Sequence, residues 1–305
     1  MTAISKKSER VITEKKRSIW TPGQIILMIV ILIFSLTCLL PFVNVAAVSF
    51  SSKSAILRGD VSFWPVEFST TAYEAIFSDK SMTHSLIYTI EITVAYTALS
   101  MVMTILMAYP LTKTRLRGRK FFSFLALFTM YFSGGTIPIY LNIKELGLIN
   151  TPWSLILPGM LSTYNMIILK SFFQTLPNEL EEAAIIDGAN DFQVLLQVYL
   201  PLSMASLATL TLFYAVGKWN SFQDALYYIN DKALQPLQLK LYHIIKGSQA
   251  VDVAAMEGGS STVATSISES IEPATIIFAT LPILVVYPFV QRYFVAGVTI
   301  GAVKG

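Results

Sequence analysis

Charge is scarce in this sequence: only 13% of its 305 residues are Asp, Glu, Lys or Arg, about half of the quarter or so that soluble domains carry. With 54% hydrophobic residues and a mean hydropathy of +0.60, the composition excludes an ordinary soluble domain. Cysteine is nearly absent as well. The single Cys38 rules out an intrachain disulfide and a multi-cysteine metal site. Histidine occurs twice, as His84 and His243, and neither has a companion at metal-ligand spacing; both read as interfacial or surface residues. The phosphate-binding G-x-x-x-x-G-K-[ST] loop, the H-E-x-x-H zinc motif and the G-x-S-x-G nucleophile elbow are all missing. If this chain takes part in active transport, ATP must be hydrolysed by another chain.

What is present is apolar length. Six windows of about 20 residues or more, each able to cross about 30 Å of hydrocarbon as a helix, lie near 25–50, 84–110, 121–143, 152–174, 202–230 and 274–296. They lack the short alternation of a barrel strand, so an all-α polytopic membrane protein with six transmembrane helices is expected. The first apolar run is too long for a signal peptide and reads as a retained span. It follows an N-terminal arm, 1–24, that carries Lys6, Lys7, Arg10, Lys15, Lys16 and Arg17. The segment after the second window, "TKTRLRGRK", holds Lys113, Arg115, Arg117, Arg119 and Lys120. Lysine and arginine accumulate on the cytoplasmic side. Both basic stretches therefore place the N-terminus inside, and six spans bring the C-terminus back to the same, cytoplasmic side of the membrane.

Ionisable groups inside apolar windows are costly and usually serve a purpose. Lys170 sits near the inner end of the fourth window and can snorkel to headgroups. Glu91 falls about two turns into the second window and is expected to face a partner helix or a water-filled path. In "GKWNSFQDALYYIN" the residues Lys218, Asn220, Gln223 and Asp224, with Trp219 among them, recur near helical spacing. They form a candidate stripe lining a pathway or facing another subunit, with plain helix packing as the alternative. "SGGTIPIY", with Gly134, Gly135 and Pro138, is expected to kink or interrupt the third window.

Between the fourth and fifth windows lies an acidic, amphipathic stretch, 178–201. Asn178 can cap a helix from about Glu179 to Asp187, with Glu181 placed to complete a capping box. Leu180, Ala183, Ala184 and Asp187 share one narrow face, and Glu182 is left free to reach a cationic group on another surface. Gly188 supplies a positive φ that turns the chain. Asn190 caps a second helix with Phe192, Leu195, Leu196 and Tyr199 in one stripe, and Pro201 reads as an early residue of the fifth span. A plain interfacial loop is the alternative.

The run "EAAIIDGANDFQVLLQVYLP" resembles the cytoplasmic EAA signature of permease subunits of binding-protein-dependent ABC importers. It has Glu182-Ala183-Ala184, then Gly188 after three residues, then Leu200-Pro201 at the family's interval. Val198 stands where the pattern favours isoleucine, and "PLSMASLAT" lacks the second proline many members carry. "FWPVEFSTTAYEAIFSD", "AYPLTKTRLRGRKFF", "GGTIPIYLNIKELGLINTPWSLILP" and "WNSFQDALYYINDKALQPLQLKL" are similar to carbohydrate permeases of the second maltose permease type, most of all to its oligosaccharide and polysaccharide branch. Only the arm lies outside the resemblance.

The resemblance implies a type I ABC importer permease fold over 25–305, with 178–201 as a coupling segment. By the same resemblance Glu182 pairs with a basic residue of an ATPase subunit, Ala183 and Ala184 give close packing, and Asp187, Gly188, Ala189 and Pro201 belong to the same docking element. Also implied are a second, non-identical permease, a homodimeric ATPase that holds ATP and Mg, and an extracytoplasmic solute-binding protein. The chain itself binds no cofactor and no nucleic acid and catalyses nothing. The loop at Met256 to Ser266, "MEGGSSTVATS", is a candidate contact for the binding protein, with a flexible surface loop as the alternative. A stand-alone secondary transporter or channel for a polar solute is the rival reading. An intramembrane enzyme is disfavoured by the missing catalytic constellation.

Overall fold

A computed structural model describes residues 21–256 and 271–288, and all of its regular structure there is helical. The basic arm up to residue 20 and the stretch 257–270, which holds most of "MEGGSSTVATS", lie outside the described residues.

Helix α1, Pro22–Ser49, starts where the sequence supplies a complete N-terminal device. Thr21 and Gln24 form a capping box, and Pro22 occupies the first helical turn, where its missing N–H costs nothing. Its 28 residues rise about 42 Å at 1.5 Å each, more than the hydrocarbon thickness. None of its apolar window is buried by the rest of the chain; only Ala47 and Ser49 at its far end are. Beyond it, α2 (Lys53–Arg58) and α3 (Thr71–Ser78) make a small cap. Glu67, with φ at 52°, is the hub of that cap: its carboxylate accepts hydrogen bonds from Ser52, Ser54 and Arg58. Those three donors pull the carboxyl down to about 2.

The organising element is α4, Lys80–Ala108, capped by Asp79 and continued by a 3-10 turn at Pro110–Thr112. Along its length it meets α7 (Trp153–Ile156), α8 (Thr163–Phe173), α12 (Met204–Trp219) and α14 (Leu237–Met256). Three of its buried groups carry hydroxyls that bind other segments. Ser85 donates to the Gln235 carbonyl at 2.6 Å, Thr89 accepts from the Leu237 amide at 2.8 Å, and Thr104 meets the Tyr214 hydroxyl at 2.7 Å.

Six unbroken spans are not what the described residues contain. Three helices are long and apolar enough to cross a membrane, and the count reaches five if each of two bent pairs is one span. The third window divides into α5 (Arg119–Tyr131) and α6 (Thr136–Glu145), whose axes differ by 114°. The interruption expected at "SGGTIPIY" is thus present, and Gly135, at φ 89°, makes the turn. The fourth window contains only α7 and α8, because Pro158 and Gly159, at φ 72°, end the first before the second begins. The fifth bends by 84° at Ser203 and stops at Trp219. Of the sixth, a helix at Ile271–Pro288, α15, is described. Between the fifth and sixth windows the chain forms α14. There Leu237, Leu241 and Ile244 fall on one helical face, packed against Met82 and Ala279.

Candidate functional site: the acidic segment and its seat

The segment after α8 folds as the sequence suggests in outline and departs from it at its cap, its packing face and Pro201. Helix α9, Asn178–Ile186, begins behind Pro177, which acts as N-cap without a side-chain bond. The capping box expected between Asn178 and Glu181 does not form, because Glu181 is engaged elsewhere. At the far end the chain closes with two short bonds. The Ala189 amide donates to the Ala184 carbonyl at 2.9 Å, and the Gly188 amide donates to Ile185 at 3.0 Å, with Gly188 at φ 86°. That is the left-handed glycine turn that satisfies a helix's last carbonyls.

Asn190 then opens α10, Asp191–Val194, through a full capping box with Gln193, both bonds at 2.9 Å. A π-helical turn follows at Leu195–Tyr199, then α11, Leu200–Leu202, and the 84° bend at Ser203 into α12. Pro201 sits in α11, ahead of the bend, so it belongs to the segment and not to the long helix beyond it.

Beneath this segment is a largely buried polar knot that borders a cleft. Glu181 accepts a hydrogen bond from the Lys113 ammonium at 2.6 Å and another from the Tyr199 hydroxyl at 2.8 Å; Lys113 also donates to that hydroxyl at 3.0 Å. The lysine and glutamate side chains are 9% and 17% exposed, so the pair is largely out of water. Lys113 Nζ lies 4.2 Å from the centre of the Tyr109 ring and 4.1 Å from that of Tyr199, and the ring faces replace part of its lost hydration. Tyr109, Tyr199 and Phe173 meet edge to face in all three pairs.

Burial by itself raises the Glu181 carboxyl, but the bonds from Lys113 and Tyr199 outweigh it and hold the group below its usual range. Burial also draws the Lys113 ammonium below its usual value, against the opposing pull of Glu181. Around the knot, Ala108 and Leu111 from the end of α4, Leu169 and Phe173 from α8, and Val194 and Leu195 pack as one apolar core. Outside it, an exposed Arg115–Asp191 pair adds a second tie.

The opposite side of the segment is bare. No residue of α9 is fully buried. Glu182, Ala183 and Asp187 are exposed, Ala184 is half-buried against the core together with Ala189, and Ile186 is 84% exposed. The four-residue face expected for close packing is therefore split: Ala184 turns inward, while Leu180, Ala183 and Asp187 are uncovered. Between α9 and the basic turn runs a cleft of about 510 Å³ whose walls include Arg115, Arg119, Gln174, Asn178 and Glu182.

Beside the middle of α4 the expected polar stripe is divided. Helix α12 ends at Trp219, and α13, Gln223–Tyr228, starts after a break. Lys218 and Asp224 reach across that break at 3.2 Å, with the lysine 4.9 Å from the Tyr96 ring centre. Trp219 is buried and donates to the Ala279 carbonyl of α15 at 3.3 Å. Asn220 caps its own helix through Val216, Gln223 is exposed, and Glu91 is exposed on α4. These residues share no common face, because the chain turns between them. His84 is exposed and bonds the Ala233 carbonyl at 2.8 Å. Lys170 bonds Ser123 at 3.2 Å. Among the described residues, no group of three His, Cys, Asp or Glu could hold a metal.

Sequence reasoning missed Lys113, Glu181 and Tyr199 as a unit. A basic turn reads as topology, and the glutamate read as a cap; nothing local ties positions 68 and 86 residues apart.

No family model matches the chain. Among curated proteins it is 43% identical over 275 residues to a polygalacturonan/rhamnogalacturonan transport system permease protein, YtcP, of Bacillus subtilis, covering 90% of this chain and 96% of that one. It is 45% identical over 267 residues to LplC of the same organism, covering 88% and 90%, and 29% identical over 293 residues to a trehalose/maltose transport system permease, MalG, of Thermococcus litoralis, covering 92% and 97%. Among solved structures, a chain of a bacterial ABC transporter involved in import of the acidic polysaccharide alginate superposes with a TM-score of 0.80 at 32% identity, over 90% of this chain and 99% of that one.

Proposed function

Because the chain belongs to the permease subunits of carbohydrate ABC transport systems, we propose that the bare side of α9 and α10 is where an ATPase subunit docks, and that its closure drives alternating access for an oligosaccharide. The observation that carries this reading is the two-sidedness of the segment. Its inner side is fixed by a largely buried ion pair and an aromatic core, while its outer side presents Glu182, Ala183, Asp187 and Ile186 with nothing over them. A rigid helix with a carboxylate, small side chains and a protruding isoleucine suits a cleft on a soluble partner: the alanine allows close approach, the isoleucine fills a pocket, and the carboxylate meets a cation.

In this reading the segment faces the cytoplasm, as do both termini, and the basic turn at Lys113 to Lys120 lies beside it. The chain itself performs no chemistry; ATP and Mg reside on a homodimeric ATPase. A second permease completes the pathway, and an extracytoplasmic binding protein delivers the solute. The substrate class follows the relatives, whose names speak of polygalacturonan, rhamnogalacturonan and alginate, so a polysaccharide-derived oligosaccharide is proposed.

The test is uptake by proteoliposomes holding both permeases, the ATPase and the binding protein. Uptake is expected only with ATP on the ATPase side, and Glu182→Lys is expected to lose ATPase capture while the permease pair still inserts. Uptake that persists without the ATPase, or that an ion gradient alone drives, overturns the proposal.

A further inference from the structure

We propose that Lys113 is the positioning residue that makes the docking segment and the inner end of α4 one mechanical unit, so that a stroke received by α9 is delivered to α4 first and reaches α12 through its packing on α4, not along the chain through the bend at Ser203. The proposal rests on the docking role given to α9 above and adds the route the motion takes.

Three observations carry it. First, the contacts of α9 with the turn after α4 converge on one ammonium: Lys113 holds Glu181 of α9 at 2.6 Å and Tyr199 of the π-helical turn at 3.0 Å, and Tyr199 closes the triangle on Glu181 at 2.8 Å. Such a triangle of short, charge-assisted bonds resists shear in a way that apolar packing alone does not, because each bond fixes both distance and direction. Second, the unit is largely buried. The lysine lies between the rings of Tyr109 and Tyr199, and Tyr109 directly continues α4, so the cation is held from the α4 side as well as from the α9 side. Third, the obvious alternative route is interrupted. Between Tyr199 and α12 stand the end of a π-helical turn, three residues of helix and an 84° bend at Ser203. A π-turn and a sharp bend in sequence are places where a helix transmits axial force poorly and pivots easily. One side of the segment is therefore welded and the other is hinged.

The exposed Arg115–Asp191 pair repeats the tie one step outward, from the same turn to the first residue of α10. In water it is weak, and it serves to keep the turn and α10 in register while the buried triangle bears the load.

The experiment uses the full importer in lipid. With Cys38→Ser as background, Leu106→Cys on α4 and Glu179→Cys on α9 are spin-labelled, and their separation is measured without nucleotide and with a non-hydrolysable ATP analogue. The expected result is one narrow distance, unchanged between the two states, that broadens in Lys113→Met and is restored in Lys113→Arg. In parallel, solute carried per ATP hydrolysed is expected to fall about tenfold in Lys113→Met and in Glu181→Gln, within the range of roughly 5- to 150-fold that ordinary coupling energies span.

A separation that shifts between the two states in the unsubstituted chain overturns the proposal, and so does a Lys113→Met complex with an unchanged distance and unchanged solute per ATP. Failure of the docking reading looks different. In that case ATPase capture is indifferent to Glu182→Lys, while the distance measurement still reports whether α9 and α4 move together.

Discussion

Two lysines packed near α4, Lys113 just beyond its last turn and Lys218 of α12 beside Tyr96 at its middle, are each held by a carboxylate beside a tyrosine ring, and the two knots are built for opposite purposes. In one, Lys113 and Glu181 are 9% and 17% exposed, with two rings and a phenol hydroxyl closing around them. In the other, Lys218 is 7% exposed but its partner Asp224 is 38% exposed, the bond is 3.2 Å, and one ring stands 4.9 Å away. The first joins segments 68 residues apart in sequence; the second staples a break of a few residues between consecutive helices. The lesson is that the same three groups make a weld or a clasp according to how much water reaches the acid.

The largest expected effect breaks the weld. Lys113→Met leaves Glu181 buried beside a methylene chain, and removal of one partner from a buried pair costs about 3–5 kcal/mol; denaturant unfolding of the purified chain in detergent measures it. Changing both residues to methionine is expected to recover most of that loss, because the penalty belongs to the orphaned charge. Lys218→Met tests the clasp: it leaves Asp224 behind, and with water close to that acid the loss is expected to be smaller, roughly 1–3 kcal/mol, the scale of a hydrogen bond to a charged group, read by the same unfolding curve.

Gly188→Val moves away from both knots to the turn that aims α9. At φ 86°, with open space around its Cα, the cost is conformational rather than steric, about 1–2 kcal/mol for a left-handed residue with a Cβ and more for a β-branched one. The sharper readout is loss of ATPase capture with insertion preserved. Arg115→Ala removes only the exposed tie and is expected to cost about 0.2–1 kcal/mol, less still at high salt.

The smallest effect is one of pH, at the far cap. Glu67 lies well below its ordinary value of 4.5, at about 2. Its contribution is therefore fully present above about pH 4.5 and is lost as pH falls towards 2. Hydrogen exchange at the Val66 and Ser69 amides, both bonded within that cap, is expected to stay flat from pH 7 to 5 and to quicken only below, after correction for intrinsic rates.

Much of the acidic segment was legible because its signals are local. Pro177, Gly188 and the Asn190–Gln193 box mark its boundaries within a few residues, and each acts through its own backbone. Glu181 was misread for the same reason: three residues past Asn178 it has the right spacing for a cap, and only the fold reveals that Lys113 competes for it. The hydrophobic windows were legible as apolar length but not as continuous helices. Hydropathy averages over Gly134–Gly135, Pro158–Gly159 and Ser203, whereas the backbone breaks there.

The sequence by itself determined that this chain is helical and apolar enough for a membrane, that its third window is interrupted, and that an acidic segment with a glycine turn stands between two apolar runs. Composition, capping and φ preference act over a turn or two, so they can be read in order along the chain. Only the tertiary structure decided which side of that segment is buried and which is bare, and that Lys113, Glu181 and Tyr199 share one site. Those outcomes depend on removing water from groups far apart in sequence, and desolvation is a property of the packed chain that no local pattern encodes.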